Sequence, residues 1–73
     1  KFLILFQHRY KTNINWGSCV KSVTPFLNEI KNLESWDVNT DHNDKVLTVV
    51  LNTDNESIVI DAIKNAGFEI EKF

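Results

Sequence analysis

Residues 46–68 have the sequence VLTVVLNTDNESIVIDAIKNAGF, and this stretch carries the clearest fold signal in the chain. Its first six residues are apolar or β-branched, which is typical of a central β-strand. Thr53 and Glu56 have the spacing of a helix capping box. Apolar residues then recur at helical spacing up to Gly67, a residue type that commonly follows a helix C-terminus: Val59, Ile60, Ile63 and Ala66. The stretch therefore predicts a strand, a turn and an amphipathic helix.

Shorter alternating segments on both sides of this stretch predict two further strands. Residues 68–71 alternate apolar and acidic side chains, and residues 35–40 alternate around Trp36 and Val38. Between the second of these segments and the central strand lie residues 41–44, DHND, which are of types that tolerate a left-handed backbone. We therefore expect residues 35–51 to form a hairpin.

The N-terminal part of the chain predicts one more strand and one more helix. Residues 8–15 alternate, with Tyr10, Thr12 and Ile14 on one side. Ser18 is a suitable N-cap, and apolar residues follow at helical spacing to about residue 32: Val20, Val23, Leu27 and Ile30. Pro25 interrupts this pattern and removes a backbone donor, so we expect a helix that is kinked or that begins properly at Thr24.

The element order is therefore βαββαβ, which predicts an α+β, ferredoxin-like sandwich. In this arrangement a four-stranded antiparallel sheet carries two helices on one face. We expect residues 1–73 to form a single domain, with residues 1–7 as an N-terminal extension or an extended first strand. The topology places three segments at one end of the sheet, and we look for function there: Trp16–Cys19, Asp41–Asp44 and Gly67–Phe68.

Composition excludes several classes of function. The net charge of −2 and the predicted open sheet face disfavour nucleic acid as a partner, since that face has no aromatic side chain on which bases could stack. It would present Arg9, Lys11, Asn13, Val46, Thr48 and Val50. No catalytic triad, phosphate-binding loop or carboxylate pair accompanies Cys19, so we do not expect an enzyme. No apolar run approaches the ~20 residues of a membrane span.

The single cysteine, Cys19, is the most reactive candidate in the chain. It opens the first predicted helix, where the partial positive charge favours the thiolate and hence soft-metal or redox chemistry. A lone cysteine is also compatible with a small, half-buried apolar side chain. A lone thiol without a disulfide framework fits a reducing compartment, so we expect a cytoplasmic location.

The segment Ile14-Asn15-Trp16-Gly17-Ser18-Cys19 resembles the metal-loop signature of the heavy-metal-associated domain family. That signature is an apolar residue, any residue, Cys, any two residues and a second Cys. Residues 36–38, 47–49 and 62–68 also match in order and spacing, so the resemblance extends from Tyr10 to Phe73. It implies a βαββαβ domain that binds copper(I) or another soft metal through two thiolates, in a metallochaperone or in a metal-receiving domain.

The sequence departs from this family at one decisive position. Cys19 occupies the second cysteine position and Trp16 occupies the first. An indole has no lone pair to offer a metal. Either the site has been lost, or Trp16 replaces a Cys that the domain otherwise carries, or a second ligand comes from elsewhere.

Two sources for a second ligand remain open. One is Cys19 of a second copy in a homodimer formed through the Trp16–Cys19 loop, and the other is His42 in the predicted hairpin turn. His8 starts the first strand at the opposite end, where we expect it to lie on the surface. Phe68 is either the aromatic residue that packs beside the metal loop in this family or a plain core residue.

The leading hypothesis is a small domain for soft-metal binding or transfer with a degenerate, single-cysteine site. It would work with a metal-transfer partner protein or as a homodimer. The alternative is a protein-interaction module on the same scaffold that has lost metal binding. In that case Trp16, which we expect to be at least partly exposed, would be an anchor for a partner. A surface of Val46, Val50 and residues 2–6 could also dock one.

Overall fold

The computed structural model describes residues 4–15, 17–41 and 43–73. The elements are β1 Phe6–Thr12, α1 Gly17–Asn28, β2 Leu33–Asn39, β3 Val46–Leu51, α2 Ser57–Asn65 and β4 Ile70–Lys72. The strands form one sheet in the order β2-β3-β1-β4, and every neighbouring pair is antiparallel. The predicted ferredoxin-like βαββαβ architecture is confirmed. No helix in the described ranges is long and apolar enough to cross a membrane.

The core lies between the sheet and the two helices. Leu47 in β3 is opposite Tyr10 in β1 and Val38 in β2, so one row of inward-facing side chains crosses three strands. The helices close this layer with the residues that the sequence pattern marks as apolar, and the fully buried ones are Val23, Leu27, Val59 and Ile63. In β2 the register shifts between Leu33 and Ser35, which is a bulge in an edge strand.

The described helix starts differ from those predicted. Ser18 lies inside α1, which begins at Gly17, so it is not the N-cap. The predicted capping box is also wrong, because α2 begins at Ser57 and the side chain of its N-cap residue Glu56 makes no capping hydrogen bond. That carboxylate instead faces the sheet, and Asn55 Oδ1 accepts a hydrogen bond from the Ser57 N–H at 3.2 Å.

Three predicted ends also shift. β1 covers Phe6–Thr12 rather than residues 8–15, so Phe6 and Gln7 belong to the first strand, while residues 1–3 lie outside the described ranges. α1 ends at Asn28 rather than near residue 32, and a turn follows in which the Ile30 N–H donates to the Leu27 carbonyl at 3.1 Å. β4 begins at Ile70, two residues later than predicted.

The open face of the sheet is close to the prediction, with two corrections. Arg9, Thr48 and Val50 belong to its strands as expected. Val46, predicted on this face, is buried, although it stands outside the core cluster between sheet and helices. Asn13 does not belong to this face, because β1 has ended and its side chain is bonded to Glu69.

Candidate functional site

Three loops meet at one end of the sheet, and we refer to residues 12–15, 17–19, 43–45 and 67–69 as the loop end. The Thr12 N–H donates to the Asp44 carbonyl at 3.0 Å, which joins the exit of β1 to the hairpin turn. The Glu69 N–H donates to Asn13 Oδ1 at 2.8 Å, which joins it to the entry of β4. The exit of β1 is therefore joined directly to the hairpin turn and to the residue before β4.

Cys19 is the third residue of α1, and this helix begins at the loop end. Its side chain is half-buried, packs against the core cluster and is not part of a disulfide. The residues leading to it divide into an anchor and an exposed portion. Ile14 is fully buried, while Asn15, Gly17 and Ser18 are exposed. Cys19 therefore lies where an exposed loop passes into the packed helix.

The other predicted site residues have different outcomes. Trp16 and His42 lie outside the described residues, so the exposure of Trp16 and the ligand role of His42 stay predictions. Phe68 is half-buried and packs against the core cluster, as Cys19 does, so its burial fits both interpretations given above. It follows Gly67, whose φ of +91° is the left-handed conformation expected after a helix.

Within the described part of the chain, no three His, Cys, Asp or Glu side chains are grouped so that they could hold a metal ion. The whole sequence contains one cysteine, two histidines and no methionine. Soft-metal ligands are sulfur and imidazole donors. Of the two imidazoles, the described one, His8, lies within β1, four residues before Thr12.

A second polar cluster, which we call the Glu56 cluster, joins His8 and Tyr10 of β1, Lys72 of β4 and Glu56 before α2. Glu56 Oε1 accepts a hydrogen bond from the Tyr10 hydroxyl at 2.7 Å and lies 3.2 Å from His8 Nδ1. Glu56 Oε2 accepts from Lys72 Nζ at 2.9 Å. One carboxylate at the start of α2 therefore connects β1 and β4.

The prediction that His8 lies on the surface is wrong. Its side chain is only 18% exposed, because even-numbered residues of β1 face the helices, as Tyr10 does. Its Nε2 is buried and has no hydrogen-bond partner among the described residues. The alternation through residues 8–15 already put His8 and Tyr10 on one face, and this signal could have revealed the burial of His8.

The environment of the cluster shifts two pKa values in opposite directions. Hydrogen bonds from Lys72 and Tyr10, in that order of importance, lower the pKa of Glu56 below its ordinary value. Burial, and then the hydrogen bond to the Glu56 carboxylate, raise the pKa of the Tyr10 hydroxyl. The cluster thus favours an ionised Glu56 beside a neutral Tyr10.

No protein-family model matches the sequence, and no curated protein matches it. Solved structures do match the fold. The CopZ metallochaperone is 25% identical with a TM-score of 0.77, over 90% of this chain and 100% of that chain. The apo N-terminal domain of ZntA is 15% identical with a TM-score of 0.81, over 96% and 94%.

A third similar structure carries the family term itself. The apo HMA domain of the copper chaperone for superoxide dismutase is 16% identical with a TM-score of 0.78. The match covers 96% of this chain and 68% of that chain. These similarities show that the chain has the heavy-metal-associated (HMA) fold, as the resemblance in sequence implied.

Proposed function

We propose that this HMA-like domain binds or transfers a soft metal ion such as copper(I) through Cys19, with a second soft ligand supplied by another chain. The observation that carries the proposal is the position of Cys19 in the first turn of α1, at the loop end. CopZ and CsoZ, both described as metallochaperones, share this fold. We further propose that the domain itself has no catalytic activity.

The donor inventory of the chain supports a shared site. Copper(I) is held best by soft thiolate or thioether ligands, and Cys19 is the only such donor in the sequence. Trp16 offers no lone pair. His8 precedes Thr12 by four residues of β1, roughly 13 Å at about 3.3 Å per residue, and is bonded to Glu56. His42 is the one remaining candidate within the chain.

The source of the second ligand defines the partner. We propose either a second copy, whose own Cys19 would complete a symmetric two-thiolate site, or a metal-transfer partner that contributes its own cysteine. The exposure of Asn15, Gly17 and Ser18 supports access to the loop from outside. Such a protein would work in a reducing compartment, because the site requires a reduced thiol.

Copper(I) titration under reducing conditions, with a competing chelator, tests the proposal. We expect wild-type protein to take up copper(I), and the matched variant Cys19→Ser to lose that binding. Size-exclusion chromatography with and without copper(I) then separates a homodimer from a partner-dependent site. Wild-type protein that takes up no copper(I) at any concentration, alone or with a thiol-bearing partner domain, would contradict the proposal. Equal binding by C19S would contradict the role of Cys19.

The variant Trp16→Cys tests the assignment of the loop to the family motif. It restores two cysteines separated by two residues, and we expect tight one-to-one copper(I) binding without a change of fold. The double variant W16C/C19S is the matched control, because it has one thiol at the other position. If W16C folds normally but binds copper(I) no better than wild type, Trp16 does not occupy the first ligand position.

A protein-interaction module without metal binding is the second candidate. The observation that favours it is the exposure of large apolar side chains, notably Ile4 at 69% and Phe73 at 63%. The two candidates differ in the role of Cys19. An interaction module would keep its partner in C19S, whereas metal transfer would be lost.

A further inference from the structure

We propose that Thr12 and Asn13 are positioning residues, which fix the point where β1 leaves the sheet and thereby hold the Cys19 loop in place. Only the use of that loop rests on the proposed function. The hydrogen bonds that carry the inference are properties of the chain itself.

Thr12 connects the exit of β1 to the hairpin on one side. Its hydroxyl donates to the Lys45 carbonyl at 2.6 Å and accepts a hydrogen bond from the Ile14 N–H at 3.2 Å. The Ile14 N–H is therefore satisfied although Ile14 lies beyond the last residue of β1. One side chain takes over the hydrogen bonding that a longer strand would have provided.

The acceptor on the hairpin side is itself held in an unusual conformation. Lys45 has a φ of +47°, a left-handed backbone that is sterically unfavourable for a residue other than glycine. Such a conformation persists only where its surroundings determine it. The Lys45 carbonyl is bonded to Thr12, and its Nζ donates to the Thr40 carbonyl at 2.7 Å. Two hydrogen bonds thus hold Lys45 in this conformation, and one of them comes from the Thr12 hydroxyl.

Asn13 makes the corresponding connection on the β4 side. The last pair of the β1–β4 ladder is Thr12 with Ile70. One position further, Asn13 Oδ1 accepts a hydrogen bond from the Glu69 N–H at 2.8 Å, and Asn13 Nδ2 lies 3.4 Å from Glu69 Oε2. The amide group replaces a backbone carbonyl of the ladder, so the sheet keeps its bond while the main chain turns towards α1.

These two side chains stand immediately before the exposed part of the loop. Ile14 is fully buried, and the following described residues Asn15, Gly17 and Ser18 are exposed. Among the described residues that precede Cys19, the anchoring is therefore concentrated in residues 12–14. Loss of either polar anchor should loosen this segment locally before it unfolds the domain.

Alkylation of Cys19 by iodoacetamide, in native buffer without metal, tests the inference. We expect Asn13→Ala to raise the alkylation rate by about fivefold, since the loss of one ordinary hydrogen bond changes an opening equilibrium by roughly that factor. Thr12→Val, which keeps the shape but removes the hydroxyl, should act in the same direction. Asn52→Ala is the matched control, because Asn52 Nδ2 donates to Glu34 Oε2 at 2.8 Å away from the loop end.

Amide hydrogen exchange identifies which bond is lost. The Glu69 N–H should exchange faster in N13A, because this variant removes the oxygen that accepts its hydrogen bond. The Ile14 N–H should exchange faster in T12V. These readouts separate positioning from a general loss of stability, which would accelerate exchange throughout the core.

The inference is overturned if N13A and T12V alter Cys19 alkylation no more than N52A does, at equal loss of thermal stability. It is also overturned if the Glu69 and Ile14 amides exchange as in wild type. Neither readout involves metal. A failed copper(I) titration would therefore overturn the proposed function and leave this inference standing.

Discussion

At the scale of single residues, Glu56 links more of the fold than any motif in the sequence suggests. We predict that Glu56→Gln lowers the free energy of unfolding at neutral pH by about 1–3 kcal/mol, because it removes the charge that faces Lys72 Nζ at 2.9 Å and the Tyr10 hydroxyl at 2.7 Å. Denaturant unfolding followed by circular dichroism measures this. Glu71→Gln, which changes an exposed carboxylate of β4, is the control and should have little effect.

The same carboxylate predicts an acid dependence. Because the folded state lowers the pKa of Glu56 below its ordinary value of 4.5, its contribution is fully present above that pH. The contribution disappears as the pH falls through the folded-state value. The stability difference between wild type and E56Q should therefore shrink as the pH falls below about 4.5. A difference that stays constant down to pH 2 would show that ionisation of Glu56 is not its source.

The variant Tyr10→Phe tests how the free energy of unfolding depends on alkaline pH. The folded state raises the pKa of Tyr10 above its ordinary value of 10, so the neutral hydroxyl stabilises the fold below pH 10. That contribution is lost as the pH rises towards the folded-state value. We expect Y10F to cost about 1–2 kcal/mol at pH 7, and the gap to wild type to narrow above pH 10. A gap that does not change between pH 7 and 11 would contradict this.

The sequence pattern predicted the inward position of Tyr10 but not the Glu56 cluster to which it belongs. Alternation in β1 correctly placed Tyr10 inward, yet Tyr10 and Glu56 are 46 residues apart in the chain. Thr53 and Glu56 matched a capping box, a local motif, whereas in the structure the side chain of Glu56 faces the sheet. Local spacing cannot weigh a cap against a tertiary hydrogen bond of higher strength.

At the scale of elements, Pro25 lies inside α1, and its effect on the stability of this helix can be tested. Pro25 is exposed, and Thr24 Oγ1 donates to the Val20 carbonyl at 2.7 Å in the preceding turn. We predict that Pro25→Ala restores a backbone donor and leaves stability unchanged or higher. Ser22→Ala, at an exposed position of the same helix, is the control. A loss greater than ~1 kcal/mol in thermal or denaturant unfolding would show that packing requires the helix shape imposed by Pro25.

The sequence pattern predicted the order of the elements, because apolar residues recur over long stretches. It did not predict where the elements end. The apolar periods of 46–51 and 59–66 located β3 and α2 correctly. The alternation predicts that β1 ends at Asn15 rather than at Thr12, because Ile14 continues the pattern. In the structure Ile14 is buried beyond the strand, since the Thr12 and Asn13 side chains replace the ladder there. A side chain that replaces a backbone hydrogen bond of the sheet does not change the alternation of apolar and polar residues, so the sequence pattern cannot reveal it.

At the scale of the whole molecule, the sequence predicted the layer arrangement and the loop end but could not complete the site. Topology alone brings the exits of β1 and α2 and the hairpin together, so Cys19 could be located before any coordinates. A second ligand is a different matter. It depends on His42 or on another chain, and neither is determined by the pattern of one sequence.

Because the total free energy of unfolding of so short a chain is small, truncation of one buried side chain should remove a large part of it. Leu47→Ala tests this. At 0.05–0.15 kcal/mol per residue, 73 residues correspond to a free energy of unfolding of roughly 4–11 kcal/mol. Leu47 is fully buried in β3, opposite Tyr10 and Val38, and its truncation should cost about 2–5 kcal/mol. Ile4→Ala, at a position that is 69% exposed, should stay within about 0.5 kcal/mol. Denaturant unfolding by circular dichroism measures both, and an L47A midpoint equal to that of I4A would place Leu47 outside the core that joins the sheet to its helices.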